Sequence, residues 1–429
     1  MAENSVAKPV RDWQETFPWL LLFRAARPAM GFRVLLVAAL GLVTMIAGWR
    51  QCWRMVAPSL DDASGKMVIK DPVMAQLAGR YHGTSAEGVV PPWPWQIDAA
   101  GNELYPQFFG KGALGDYSEV PLIGRFFGIA EATATELTFP FQMLFHEELT
   151  YRGLAYALVC CGWAIIIWGY FGAIISRLVA VKLTQDETIS LKAAGGFARK
   201  RCCSYMAAPL LPLLGVFGLG IPIAGLGLIS HFDVGIFVAG LLWPLVLCVG
   251  FLMAVLLLGL IFGWPLMFST ISTEGTDAFD AISRSYAYVF QRPFHYLFYT
   301  ILITIIGGLG SLVLHGIMNL LVHATTWAFA WGLDPERKIV LFAGDLNSSF
   351  GDWGYHLILF WQGFLQTLLT SFAVAFLFSG MTAVYLLLRR HVDGVELDEV
   401  QLDQEAEYDL PALSEGSIEA DGAESEQNT

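Results

Sequence analysis

Six long stretches of the chain are almost free of charge, and polar segments separate them. They run near Met30–Trp49, Leu154–Ser176, Tyr205–Ile229, Val234–Gly263, Phe294–Val322 and Leu357–Leu388. A hydrocarbon core ~30 Å thick takes roughly 20 helical residues to cross. Each stretch is long enough, and none alternates with the period of two that a strand requires. The pattern predicts an all-α fold, a polytopic membrane helix bundle with about six transmembrane helices. The fourth and fifth stretches exceed a straight crossing, so tilt or extension beyond the bilayer is expected. Pro209, Pro212, Pro222 and Pro244 fall inside the third and fourth. Membrane helices tolerate such breakers when neighbours satisfy the freed backbone groups.

Two polar connections carry a different pattern. After Thr276, apolar groups recur at Phe279, Ile282, Tyr286 and Val289, which is one face of a helix. Asp277 and Asp280 stand at its start and Arg292 at its end, as the helix dipole favours. Asp280 and Arg284 are spaced to pair. The earlier connection has Thr184-Gln185-Asp186-Glu187 as a capping box. Ser190 is placed to cap a short helix bearing Leu191, Ala194 and Phe197, which Gly195-Gly196 weakens. These are two interfacial elbow helices. The units they join, spans two–three and four–five, read as a degenerate parallel repeat.

Charge then orients the bundle. Lys8, Arg11, Arg24, Arg27 and Arg33 precede or begin the first span. Arg177, Lys182, Lys192, Arg199, Lys200 and Arg201 lie between spans two and three. Arg284 and Arg292 lie between four and five, and Arg389 and Arg390 end span six. These four regions fall on one side of an even number of spans. The two short connections on the other side hold only Arg337 and Lys338. By the positive-inside rule both termini are cytoplasmic, in a bacterial cytoplasmic (inner) membrane. The segment Arg50–Arg152 is an outer loop, and its apolar part from Pro121 to Phe145 reads as a short re-entrant or surface helix. Trp13, Phe17, Trp19 and Phe23 lie among arginines and read as an interfacial lead-in. No cleavable signal peptide is expected, because basic residues flank both ends of the first span.

The net charge of −13 is local. From His391 onward there are 13 acidic residues and no Lys or Arg, which leaves 25 acidic against 25 basic residues upstream. This segment is expected to be disordered. The chain thus divides into an interfacial segment 1–29, a transmembrane domain 30–390 that includes outer loop 50–152, and an acidic cytoplasmic tail 391–429. No basic surface for nucleic acid is present. The six cysteines show neither a disulfide framework nor a zinc spacing.

The elbow residues carry a resemblance. Glu274-Gly275-Thr276-Asp277-Ala278-Phe279-Asp280-Ala281-Ile282-Ser283-Arg284-Ser285-Tyr286 with Gln291-Arg292-Pro293 resembles the signature of an uncharacterised, planctomycete-type bacterial family of multi-pass inner-membrane proteins. So does Phe171-Gly172-Ala173-Ile174-Ile175-Ser176-Arg177 with Asp186-Glu187. The likeness spans roughly Tyr151 to Tyr299. It implies this architecture and brings no known activity.

Three constellations bear on chemistry. Glu147-Glu148-x-x-x-Arg152 resembles the first motif of CAAX-protease-like intramembrane peptidases, in which a glutamate activates water. His315-x-x-x-Asn319 fits that family's last motif. Its middle motif, Phe-x-x-x-His, is absent, and the glutamates precede span two instead of lying within it. Secondly, His315, Asn319 and His323 share one helix stripe. With His146 near the same leaflet, His146, His315 and His323 form a candidate zinc-ligand set. The bland alternative places these polar aromatic groups at membrane interfaces and helix ends. Thirdly, spans two, three and four hold no ionisable group between their ends, which argues against proton coupling. Gln362, Gln366, Thr367, Thr370 and Ser371 in span six read as polar glue between helices.

The reading is therefore an integral membrane protein with a structural, accessory or assembly role, non-enzymatic and without a cofactor. Its partners are the lipid bilayer and other membrane proteins, and its oligomeric state is open. The alternatives are an intramembrane hydrolase centred on Glu147, Glu148, Arg152, His315 and Asn319, and a channel or transporter for an apolar or lipid substrate.

Overall fold

A computed structural model describes residues 18–56, 133, 137–145, 151–343 and 348–395. Helix is the only regular secondary structure among them. Six helices are long and apolar enough to cross a membrane, so the chain is a multi-pass α-helical membrane protein. In chain order we label α1 (Phe32–Val56), α2 (Tyr151–Gln185), α3 (Leu191–Lys200), α4 (Cys202–Ile229) and α5 (Asp233–Glu274). These are followed by α6 (Ala278–Gln291), α7 (Pro293–Trp331), α8 (Pro335–Ala343) and α9 (Ser349–Asp393). α3 and α6 are the elbows. We call the side that holds them the elbow end and the opposite side the far end.

The elbows form as their caps dictate. Ser190 accepts from the Ala193 N–H at 3.1 Å and Asp277 from the Asp280 N–H at 3.0 Å. Both satisfy donors that a helix start leaves orphaned. Thr184–Glu187 is not a capping box. α2 continues through Gln185, and the Thr184 hydroxyl bonds back to the Ala180 carbonyl. Asp186 adopts φ 56°, and the Lys182 ammonium donates to its carbonyl at 2.7 Å, closing the helix instead of opening one. Proximity to Lys182 also holds the exposed Asp186 carboxyl below its ordinary pKa.

The core is centred on α9. From Thr367 to Leu388 almost every side chain of α9 is buried, against α1, α2, α5 and α7. Phe378 meets Trp168 of α2 and Trp264 and Phe268 of α5, with ring centroids 5.6 to 6.1 Å apart. Gly172 makes room for that cluster, since a Cβ there would lie 2.7 Å from the Phe378 ring. α1 and α2 interlock similarly: Trp163 Nε1 donates to the Thr44 carbonyl at 3.2 Å, and Trp53 sits edge-on to Tyr156. Of the expected interfacial lead-in, Trp13 and Phe17 lie outside the described residues, Trp19 is half-buried and Phe23 is exposed, while the stretch that follows docks in the bundle. Leu22, Ala25 and Ala29 are fully buried, and Ser379 of α9 donates to the Ala25 carbonyl at 2.6 Å.

Polar groups inside the bundle are mostly self-satisfied. Thr367 and Ser371, expected as interhelical glue, donate to carbonyls four residues back on their own helix. Such bonding is the cheap alternative where lipid offers no partner. Hydroxyl contacts that do cross include Ser269 to Thr382 at 3.2 Å.

Part of the outer loop comes back into the bundle. Residues 137–143 form a short helix with Leu137 and Met143 buried in the core, and Phe145 stacks on Phe217 of α4. Phe217 stands 15 residues from the elbow end of α4, about 22 Å along its axis, so Phe145 lies within the apolar layer. The remainder of the loop, segment 1–17 and the acidic tail beyond residue 395 lie outside the described residues.

Burial is strongly uneven between the long helices. The apolar window of α9 is 94% buried, while that of α5, the most apolar of the six, is 6% buried. α5 has 42 residues, about 63 Å of helix, twice what a bilayer core needs. Its far-end half, with α4, forms an arm whose surface carries exposed Phe237, Trp243, Leu245 and Phe251.

The elbow junction supplies a test of this packing. A Cβ on Gly259 would fall 2.1 Å from the Tyr286 ring, whose hydroxyl donates to the Leu256 carbonyl at 2.7 Å. Gly259→Ala is expected to destabilise the protein by about 1–3 kcal/mol through overpacking, read as a lower melting temperature in detergent. Gly218→Ala, with nothing within 4 Å, should leave it unchanged or raise it.

Candidate functional site

The sequence motifs that stood out in the elbows converge at one place, the elbow end of α5. The last carbonyls of any helix lack intrahelical donors, and here two arginines supply them. Arg177 of α2, only 4% exposed, donates to the Ser272 carbonyl at 2.6 Å. Arg201, between α3 and α4, donates to the Gly275 carbonyl at 2.9 Å. Both guanidiniums lie over the ring of Phe197 of α3, 3.9 and 4.2 Å from its centroid. Cations at a helix C-terminus also meet the negative end of its dipole. Gly275 takes φ 65°, a left-handed value that favours glycine, and returns its N–H to the Ile271 carbonyl. The Tyr205 and Ser272 hydroxyls bond at 2.8 Å.

Beside this cap sits an ionic cluster. The carboxylate of Glu274, with a side chain 9% exposed, forms ion pairs with Arg284 of α6 at 2.8 Å and Arg389 of α9 at 3.1 Å. Tyr385 of α9 donates to it at 2.6 Å. Arg284 also pairs with Asp280, as its spacing predicts, at 3.0 Å. Tyr288 of α6 donates to Asp393 of α9. Burial alone would lower the Arg284 pKa, but the Asp280 hydrogen bond and the Glu274 charge raise it above the ordinary guanidinium value. Burial and the Asp393 carboxylate push the Tyr288 phenol up as well. Burial pushes Tyr286 up to about 12. Arg284 thus stays charged, and the Tyr286 and Tyr288 phenols keep their protons, at neutral pH.

This arrangement fastens three helices. Every oxygen of Glu274 is engaged, and none of the described residues there pairs a nucleophile with a base. Sequence reading placed Arg177 and Arg201 in the connection between spans two and three. Arg177 in fact lies within α2, which runs nine residues past the end predicted for span two.

The other candidate residues are only partly gathered. Within α7 the Asn319 amide and His315 Nε2 bond at 2.9 Å, one turn apart on the predicted stripe. His315 Nδ1 is buried without a partner among the described residues. Asn319 and His323 are exposed. His146, Glu147 and Glu148, and the side chain of Arg152, lie outside the described residues. Among the described residues no three His, Cys, Asp or Glu side chains are grouped to hold a metal ion. The six cysteines are all unbonded.

No protein-family model, no curated protein and no solved structure matches this chain.

The fastening role of Glu274 is testable. Glu274→Ala leaves two guanidiniums facing a cavity and is expected to cost about 3–5 kcal/mol, measured as a loss of thermal stability in detergent. Glu274→Met combined with Arg389→Met should recover a large part of that loss, since apolar replacement of both partners is tolerated.

Proposed function

We propose that the protein is a non-enzymatic membrane component with a structural, accessory or assembly role, working through its far-end arms on other membrane proteins. The observation that carries this reading is the burial contrast between α9 and α5. A helix as apolar as α5 is driven out of water by its own composition. Packing it against the bundle is therefore not needed to hold it in the membrane. Its length and bare face suit it to meet something else in the same layer. The clasp at the elbow end makes the other half of the bundle a rigid base for such an arm.

We also propose that the membrane is a bacterial cytoplasmic (inner) membrane with the elbow end on the cytoplasmic side. Fifteen Lys and Arg residues lie in the regions assigned to that side against two in the short connections opposite. The likeness of the elbow residues to a planctomycete-type inner-membrane family supports the same placement.

Two experiments check these statements. Photo-crosslinkers in place of Phe237 and Leu245 in native membranes are expected to give discrete protein adducts, with none from the buried Trp49 position. Lipid adducts alone from α5 would remove the assembly role. For orientation, exposed Cys203 at the elbow end should resist a membrane-impermeant maleimide in intact cells until lysis. A cysteine at exposed Ser349 should label at once, and the reverse order would invert the topology.

A further inference from the structure

Two thiols meet towards the far end of the α1–α2 pair. These helices run antiparallel in a register fixed by three contacts. Trp163 Nε1 donates to the Thr44 carbonyl, a Cβ on Gly48 would fall 1.9 Å from the same indole, and Trp53 sits edge-on to Tyr156 with ring centroids 5.7 Å apart. Passing from 48 to 53 on α1 therefore runs from 163 to 156 on α2. Cys52 and Cys160 fall inside these two intervals, and the Cys160 thiol donates to the Cys52 sulfur. Gly48, one turn before Cys52, brings the helices close on this side, and a disulfide needs Cα atoms within about 7 Å. Both cysteines carry free thiols in this structure, the reduced state of the pair.

The pair lies where α1 reaches water. Cys52 is 20 residues from the start of α1 at Phe32, about 30 Å along its axis, which is the thickness of a hydrocarbon core. Arg50 and Arg54 bracket it, and Arg54 is exposed. Cys52 is half-buried, whereas Cys160 is 2% exposed. Cys52 is thus the sulfur that an external reagent reaches, and Cys160 the one placed to resolve the product. On the orientation proposed above this is the outer, oxidising side, where disulfides persist.

From this juxtaposition we propose that Cys52 and Cys160 are a redox pair that closes into a disulfide across the base of the outer loop. The oxidant is an external disulfide. The Cys52 thiolate attacks one of its sulfurs, forming a mixed disulfide and releasing a first thiol. Cys160, once deprotonated, attacks the Cys52 sulfur and releases the second. Two protons and two electrons leave the pair, and the S–S bond of the oxidant becomes two S–H bonds. The link encloses residues 53–159, and closing so long a loop restrains the unfolded chain. It also fastens α1 to α2 at the end that the Glu274 clasp does not reach. The oxidising setting rests on the proposed orientation, whereas the meeting of the two sulfurs does not.

The state of the pair in native membranes tests the proposal. Membranes are quenched in acid, denatured, alkylated with N-ethylmaleimide and digested with trypsin without reductant. Peptide 51–54, with Cys52, is expected joined to peptide 153–177, with Cys160 and Cys161. Cys52→Ala and Cys160→Ala should each abolish the joined species, and Cys161→Ala should retain it. Purified protein, reduced and then treated in detergent with oxidised glutathione, should regain the link. It should then melt at a higher temperature than the Cys52→Ala chain treated alike. Alkylation of both cysteines in native membranes overturns the pair. Labelling of Cys203 in intact cells by an impermeant maleimide separates this from the orientation. A reduced pair with Cys203 shielded overturns the pair alone, and a reduced pair with Cys203 labelled overturns both. A joined pair with Cys203 labelled upholds the pair and overturns the orientation. Failure of oxidised glutathione to link the folded protein, or a link that survives Cys160→Ala, overturns the geometry.

Discussion

A buried carboxylate at the end of a very apolar helix is the interaction on which the arrangement of this protein depends. Glu274 terminates α5, and its neutralisation requires donors from two other helices, Arg284 of α6 and Arg389 and Tyr385 of α9. A charge removed from water is costly unless paired and hydrogen-bonded. The cost fixes geometry as well as energy, because only one relative placement of α5, α6 and α9 supplies all three donors. Lipid-facing packing has little such selectivity, since tails are as apolar as the helices that touch them. The clasp therefore selects among packings that hydrophobicity alone would leave nearly equivalent.

Arg177 and Arg201 apply the same logic to backbone carbonyls. They join α2, α3 and α4 to the α5 terminus, with Phe197 providing the ring on which both guanidiniums rest. Five helices thus meet within one short stretch of sequence, Ser272 to Gly275. The consequence is mechanical. The ionic fastening lies at the elbow end, where water is near, and the far end of α4 and α5 is left with apolar contacts. That half has few interactions to specify its position and the greatest freedom to adapt to a neighbour.

Much of the fold was legible, for definite reasons. Span number and type follow from charge-free length, and the caps at Ser190 and Asp277 follow from side chains that compete for orphaned N–H groups. The Asp280–Arg284 pair follows from helical spacing. What failed shares one cause. Arg177 looked like a loop cation because hydropathy ends a helix at its last apolar residue, whereas this helix continues because its arginine finds carbonyl partners 95 residues away in sequence. Thr184 looked like a cap by motif, yet it faces back into its own helix. Thr367 and Ser371 looked like interhelical glue, but a hydroxyl four residues from a carbonyl needs no second helix. Each error assigned a side chain to a partner by type when the decisive fact was position in three dimensions.

The same reasoning bears on where activity can reside. A membrane-embedded reaction centre needs ionisable groups held away from water with unsatisfied capacity. The buried charges at the elbow end have none: Glu274 accepts from three donors, and the Arg177 guanidinium is both hydrogen-bonded and stacked. The buried hydroxyls of α5 and α9 are hydrogen-bonded, most within their own helices, with Ser272 bonded to Tyr205 and Ser379 to the Ala25 carbonyl. What remains unspent among the described residues includes the apolar surface of the arms and the buried Nδ1 of His315. On the proposed reading, such a protein holds its neighbours in a fixed relation to its clasped base.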